Sequence, residues 1–431
     1  MNQIDGFLRT EGVHPADIDF EQTVELFLRE MEAGLAGEPS SLQMIPSYIG
    51  ERFDPRPGEC VAAVDAGGTN LRVSKVRFGE DRRCTVEAME KLPMPGSRGP
   101  VEAAEFFDQL AQHLGGILEE TSKIGFCFSY PVEILPNRDG RVTSLNKEVV
   151  VKGISDATIA EQLQTALANR GAKPFARISV LNDTTASLLG GRSLYEGRCG
   201  AYLGFIHGTG TNSCYYEDNA SIAKAPALRK VPGRTIINLE SGFFNKMKRG
   251  VLDDRFVRKT LAPGDSWLEK MTSGQYLGPL MLEYLQTAAR GGLFSEAASV
   301  SLLHLCELSG KDIDDFLPDP HGAGVLAALP GLTREDKQTI YLLADALFER
   351  AAKLVAVNIC ACVRKTGAGA DPLLPALVTV EGTTYYKAVL MRPKVEYYLH
   401  RYLAQKRGLF YRTAQVADAV TFGAAMSALS V

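Results

Sequence analysis

Several familiar signatures are missing from this sequence, and each absence removes a class of function. No GxxxxGK[ST] occurs, so a lysine-bearing phosphate loop is excluded. No GxGxxG opens a helix, which leaves a Rossmann dinucleotide site unsupported. The eight cysteines include no CxxC pair, and with only six histidines a zinc site has little support. Cys360 and Cys362 fall in a helix-like run, and no spacing resembles a disulfide framework. Reduced thiols and a cytoplasmic protein are therefore expected. Lys and Arg are scattered, the net charge is −4 and the pI is near 6.0, which argues against a nucleic-acid partner. The longest apolar stretches, such as AKLVAVNICACV from Ala352, are too short for a membrane span. The opening MNQIDGFLRTEGVHPADID carries acids where a secretory signal would be apolar. At 431 residues and 45% hydrophobic, the chain can bury a large core and has length for two or three domains.

What is present centres on VAAVDAGGTNLRVSKV, from Val61. An apolar run climbs to Asp65, breaks at Gly67 and Gly68, and resumes in alternation. A buried carboxylate is costly unless paired, and a turn without side chains lets a ligand approach the backbone. Leu71 and Val73 alternate, then Val76 and Phe78 alternate in the opposite phase, which predicts a bulge. AYLGFIHGTGTNSCYYE, from Ala201, repeats the strand–turn–strand shape, and Gly210-Thr211-Asn212 repeats Gly68-Thr69-Asn70. The repeat predicts a duplicated domain whose two turns face each other across a cleft. Backbone N–H groups in such turns form a nest suited to phosphate, and Thr69, Thr209, Thr211, Asn70 and Asn212 add donors. A carboxylate beside polyphosphate calls for a cation between them, and Mg²⁺ prefers oxygen ligands and water. Asp65 would then hold it through water; the alternative is a local Asx turn.

Helices are expected over residues 16–37, 101–118 and 156–169, and from a capping pair, Thr333 with Asp336, to Gly367. Strands are expected at IGFCFSYP from Ile124, ARISVLND from Ala176 and PALVTVEGTT from Pro375. Residues 311–334 read as loop or short helices, and TFGAAMSALSV as a small-residue helix packed close to a neighbour. Strands alternating with helices indicate an α/β fold.

DAGGTNLR, FSYP, LNDTTASLL, GTGTNSCYYE, INLESGFF, LEKMTSGQYLG and EGTTYYK occur in the order of the hexokinase family's motifs. The sequence resembles a hexokinase of the actin-like ATPase superfamily over residues 40–431. The resemblance implies two actin-like (ribonuclease H-like) domains, each a mixed five-stranded sheet with flanking helices, around a central cleft. The small domain would be 59–183 plus 418–431 and the large one 1–58 plus 184–417. It implies ATP- and Mg²⁺-dependent phosphorylation of a hexose, glucose first, at the 6-hydroxyl. Asp183 matches the general base, although its position also suits an N-cap for a helix starting at Thr184. Lys147 matches the lysine of the family's Thr-Lys-Gly segment, with Asn146 in place of the threonine. Ser129, Asn182, Asn212, Glu240 and Glu269 match sugar-contacting positions; an exposed acid is the alternative for the two glutamates. Gly67, Gly68, Thr69, Asn70 and Arg72 match the first phosphate turn, Thr209 and Gly210 the second, and Gly382 and Thr383 the adenosine segment. The last block departs: DAVTFGAA from Asp418 keeps Gly423 but has Ala419 and Thr421 where the family has glycines, which would narrow the base pocket. A kinase of another hexose, a sugar sensor that has kept the fold, and a nucleotide-switching ATPase are the competing readings.

Overall fold

A computed structural model describes residues 3–68, 70–80, 83–143, 149–154 and 158–430. The strands are β1 (Ile45–Gly50), β2 (Cys60–Gly67), β3 (Asn70–Phe78), β4 (Cys84–Pro93), β5 (Val101–Glu102), β6 (Lys123–Phe128), β7 (Val132–Ile134), β8 (Gly140–Val142), β9 (Val151–Lys152), β10 (Arg177–Leu181), β11 (Ala201–His207), β12 (Thr211–Asp218), β13 (Arg234–Asn238), β14 (Ala376–Glu381) and β15 (Tyr411–Ala414). The α-helices are α1 (Gln3–Thr10), α2 (Phe20–Ala36), α3 (Ala103–Leu118), α4 (Ile159–Asn169), α5 (Asp183–Tyr195), α6 (Val251–Val257), α7 (Trp267–Thr272), α8 (Gly274–Arg290), α9 (Glu296–His304), α10 (Gly310–Phe316), α11 (Arg334–Thr366), α12 (Thr383–Lys387), α13 (Met391–Leu399) and α14 (Ala419–Ser427).

Two mixed sheets organise the chain. One has the order β10-β6-β2-β3-β4; the other, β1-β13-β12-β11-β14-β15, has six strands. Its sixth member, β1, pairs antiparallel with β13 and carries Pro46, and Pro is tolerated on an edge strand because a missing donor there breaks no inner ladder. Each sheet is centred on an antiparallel hairpin, β2–β3 and β11–β12, whose turn is one of the two repeated glycine turns. The duplicated pattern therefore marks equivalent places in two sheets.

Layering follows from which faces are apolar. In β2, Ala62, Val64 and Ala66 join a core with Phe106, Phe107 and Leu110 of α3 and Leu163 and Leu167 of α4. Val61 and Ala63, on the other face, join a core with Leu188 and Leu189 of α5, Ala424 and Ala425 of α14, and Cys214 and Ile236 of the second sheet. Burial on both faces explains why β2 reads as a continuous apolar run. The outer face of the six-stranded sheet lies under α2, α8 and α11. Inside that core Arg350 makes a two-pronged ion pair with Asp253, at 2.8 and 2.5 Å.

Helices α5 and α14 form the layer between the sheets, and they approach through bare backbone. A Cβ at Gly423 would stand 1.8 Å from the Ala186 carbonyl oxygen, and one at Gly190 2.1 Å from that of Ala419. Gly125 of β6 leaves the same room for Ala424, and Gly204 of β11 for Thr184. The small-residue helix is thus explained by what it touches. Ala419 and Thr421 are buried in this layer.

Other expectations shift at their edges. A 3₁₀ turn at Pro15–Asp17 precedes α2, which starts at Phe20 after its cap, Asp19. Val101 and Glu102 form β5, paired with β9, and the helix starts at Ala103. The register shift falls in the β3–β4 ladder after Lys75, but the extra residue, Glu87, belongs to β4. β3 keeps strict alternation: Leu71 and Val73 face the outer core, Val76 and Phe78 the inner one. The change of phase in the sequence is a strand buried on different faces at its two ends.

Gly423→Ala and Gly190→Ala should each cost about 1–3 kcal/mol or more in denaturant unfolding, because a methyl group meets backbone that cannot give way. Gly116→Ala, on the exposed side of α3 with nothing near its Cβ position, should instead stabilise by roughly 0.5–1 kcal/mol.

Candidate active site between the sheets

β2 ends at the inner face, and its last acid is Asp65. Arg72 lies directly opposite across the hairpin and donates from Nη1 to Asp65 Oδ2 at 2.8 Å. Burial pushes the Asp65 carboxyl above the usual carboxylate range, against the pull of Arg72. A Cβ at Gly67 would stand 3.4 Å from Asp65 Oδ1 and 3.7 Å from Ser129 Oγ, so the missing side chain leaves room beside both. At Gly68 nothing stands within 4 Å of a Cβ. Ser129, just past β6, is tied to β2 by its N–H, which donates to the Ala66 carbonyl at 3.2 Å.

Asp183 enters from the start of α5. The N-cap is Asn182, one residue earlier than the sequence predicted: its Oδ1 accepts from Thr184 N–H at 2.9 Å. Asp183, as the first helical residue, shares that donor at 2.7 Å and also accepts from the Thr184 hydroxyl at 3.3 Å. Adjacent Asn and Asp are both good caps, and the backbone seats Asn182 in the extended conformation a cap requires. Burial raises the Asp183 carboxyl above the ordinary range; the charge on Asp65 adds to this, and the hydrogen bonds oppose it. Cys127, opposite both Asp65 and Leu181 in the ladders, is fully buried beside these two acids.

The six-stranded sheet supplies the other wall. Asn212 Nδ2 donates to Asn238 Oδ1 at 2.7 Å, and Asn238 Nδ2 to Glu240 Oε1 at 2.7 Å. Asn212 Oδ1 accepts from the N–H groups of Ser213 and Ser241, at 2.7 and 3.1 Å. Glu240 holds a left-handed conformation, φ 54°, that costs free energy and persists only where the surroundings fix it. Glu269, on α7, accepts from Thr211 N–H at 3.2 Å. A Cβ at Gly210 would lie 2.6 Å from Glu269 Oε2, so the glycine is what admits this acid to the turn. Burial raises both glutamates above their ordinary range, and for Glu240 the charges of Asp183 and Glu269 add to it. Both glutamates are half-buried members of the cluster.

The second turn is held from behind. Gly274 and Gln275, at the start of α8, donate their N–H groups to the carbonyls of Gly208 and Thr209 at 2.8 and 3.3 Å, and Thr384 Oγ1 donates to Gly208 at 2.8 Å. With its carbonyls engaged, the exposed side of the turn presents Thr209. Gly382, at φ 119°, sits against this turn: a Cβ there would be 2.3 Å from the His207 carbonyl carbon. Thr383 is exposed beside it.

The structure therefore brings Asp65, Ser129, Asn182 and Asp183 together with Asn212, Glu240 and Glu269, and sets Gly67, Gly68, Asn70 and Arg72 on one hairpin and Thr209, Gly210, Gly382 and Thr383 around the other. Thr69, Asn146 and Lys147 lie outside the described residues. Sequence reasoning passed over Asn238, which links Asn212 to Glu240, although its place two residues before Glu240 in the same block was a signal. It also passed over Thr384, whose hydroxyl ties the adenosine segment to the second turn. Among the described residues no three His, Cys, Asp or Glu side chains group as metal ligands, and no helix is long and apolar enough to cross a membrane.

Two hairpin turns, one from each sheet, flanking a cluster of carboxylates define an actin-like α/β architecture with a polar site between its halves. Comparison with known proteins gives the family. Two hexokinase family models match, over residues 10–193 and 202–430, and the chain belongs to the hexokinase family. Hexokinase-3 of Mus musculus is 28% identical over 397 residues, which cover 87% of this chain and 42% of that protein. The chain thus spans about two fifths of the length of the first mammalian relatives. Hexokinase-7 of rice is 26% identical over 99% of this chain and 96% of its own length. Among solved structures, a hexokinase from Schistosoma mansoni, complexed with glucose, superposes with a TM-score of 0.79 at 23% identity, covering 100% of this chain and 98% of that one.

Because the Glu240 carboxyl is raised, its ionised form opposes folding: the stability it contributes is complete at low pH and lost as the pH rises through its folded value. Glu240→Gln should therefore raise the thermal midpoint of the ligand-free protein at pH 7 by a few degrees, and the gain should vanish at pH 4.

Proposed function

We propose that this chain transfers the γ-phosphoryl group of ATP to the 6-hydroxyl of a hexose, glucose being the sugar to test first. The observation that carries this reading is Asp183: a raised carboxyl, oriented by Thr184, between an acid suited to a metal and a ring of amides and carboxylates suited to sugar hydroxyls. A general base is most effective when its pKa approaches the working pH, and burial moves Asp183 that way. Asp183 would accept the proton of the attacking hydroxyl at its carboxylate. Asn212, Glu240 and Glu269, with Ser129 and Asn182, would hold the remaining hydroxyls. A site of this kind rejects an analogue lacking one hydroxyl, because its own polar groups are left unpaired. Lys147 and Asn146 belong to this reading through the sequence resemblance. Membership of the hexokinase family and the glucose found in the Schistosoma structure support it.

Asp65 fits a cation bound mainly by phosphate and water: it is one carboxylate, with Oδ1 facing the room left by Gly67 and Oδ2 committed to Arg72. Mg²⁺ bound there would neutralise charge on the phosphates. Arg72, already within 2.8 Å of Asp65, is placed to meet the same phosphates. The turn around Gly67, Gly68, Thr69 and Asn70 and the turn around Thr209 and Gly210 would cradle the phosphates from either side, with Gly382 and Thr383 beside the nucleoside. The division into a small domain, 59–183 plus 418–431, and a large domain, 1–58 plus 184–417, belongs to the same proposal. Its support is that the five-stranded sheet draws every strand from residues 60–181. Site residues from both halves would close on the sugar and exclude water, which otherwise competes as acceptor.

Asp183→Asn should lower kcat by about 10²–10⁴-fold. Glucose affinity, read by calorimetry, should change by less than about tenfold. Mannose, fructose and glucosamine in the same assay rank the sugars. If the wild type phosphorylates none of them, the kinase reading fails.

A further inference from the structure

The edge of the five-stranded sheet carries two cations, Lys91 and Arg98, that the proposed reaction does not use. A hollow of about 410 Å³ opens there, lined by Asn70, Lys91, Leu92, Pro93, Ser97 and Arg98. Strand register explains its position. Asp65 lies opposite Arg72, Arg72 opposite Lys91, and Asn70 opposite Pro93. Residues directly opposite in antiparallel ladders share a face. Asp65, Arg72 and Lys91 therefore form one charged row across three strands, on the face that carries the acids. Strands lie about 4.8 Å apart, which puts the Lys91 position roughly 10 Å from Asp65.

Arg72 is committed to Asp65. Lys91 and Arg98 make no ion pair among the described residues, though both line the same hollow. Two like charges facing one space repel unless an anion lies between them. The strap that brings Arg98 over is shaped for its place. Pro93, Pro95 and Pro100 stiffen it, and Gly96 takes φ 87°, where a Cβ would stand 2.9 Å from the Val150 carbonyl oxygen. Gly96 accepts from Val150 N–H at 3.1 Å, and Ser97 Oγ donates to the Met94 carbonyl at 2.6 Å. The guanidinium fork of Arg98 suits phosphate oxygens, and Lys91 adds a point charge.

We propose that this hollow is a phosphate subsite, held by Lys91 and Arg98 beside the first glycine turn. The phosphoryl group comes either from the donor nucleotide, in which case the subsite rests on the kinase reading, or from a free phosphate. Titration calorimetry separates the two sources, with Mg²⁺ and a non-hydrolysable ATP analogue in one series and inorganic phosphate in the other. The proteins are the wild type, the double variant Lys91→Ala with Arg98→Ala, and Lys91→Arg, each checked for an unchanged thermal midpoint. For the nucleotide source, the double variant weakens analogue binding more than tenfold and raises the KM for ATP in step, while the KM for sugar changes less than twofold. For the free source, analogue binding stays and saturable phosphate binding in the wild type is lost in the double variant. In both cases Lys91→Arg retains most of the affinity. Identical titrations for wild type and double variant, in both series, overturn the subsite. A wild type that binds no analogue but binds phosphate overturns the kinase reading and leaves the subsite standing.

Discussion

The contact on which everything else rests is the one made without side chains. α5 and α14 lie between the two sheets, and at Gly190, Gly423, Gly125 and Gly204 their backbones come closer than any Cβ would allow. Close packing of this kind gains dispersion along the whole crossing but tolerates no added atom. It also sets the distance between the sheets. Asp183 heads α5, so the position of the proposed base relative to Asp65 on one side and Asn212 on the other is fixed by this layer. A wider spacing, with ordinary side chains between the helices, would pull the two walls of the site apart.

The site itself opposes folding. Asp65, Asp183, Glu240 and Glu269 are all raised by burial, and Asp183 and Glu240 also feel neighbouring acids. One of them holds a left-handed backbone as well. Stored unfavourable charge is what a polar, cation-bearing ligand would relieve on arrival. The compensation is spread through the scaffold: large apolar cores, and inside one of them the Arg350–Asp253 pair. The amides of Asn212 and Asn238 add local support by fixing the acids in one arrangement.

Much of this was legible in the residues. The two glycine turns, repeated as Gly-Thr-Asn, land on equivalent hairpins because a tight turn between paired strands has few sequence solutions. Helix α11 was bounded correctly by Thr333 and Gly367, since a capping box and a left-handed glycine are local chemistry. What was not legible depended on distant partners. β1 joins its sheet through β13, far along the chain, and Pro46 spoils its pattern as a strand. The phase change in β3 reads as a bulge until both cores are known. Asn238 was marked only by its place in the block of Glu240, and its bond to Asn212 depends on a separate strand; the choice between Asn182 and Asp183 as cap turns on one backbone angle.

The place of α14 has a consequence for the order in which the protein acquires its structure. Strands β2, β3, β4, β6 and β10 are made early in synthesis, and one face of their sheet is covered by α3 and α4 within the same stretch. The other face is met first by Leu188 and Leu189 of α5, and its core is complete only when Ala424, Ala425 and Leu429 arrive. Chains emerge N-terminus first, and exposed apolar surface on a part-formed sheet is a route to misassembly. The early sheet is therefore only partly covered on that face while the second sheet is made. In that respect the sheet begun first is finished last, by α14.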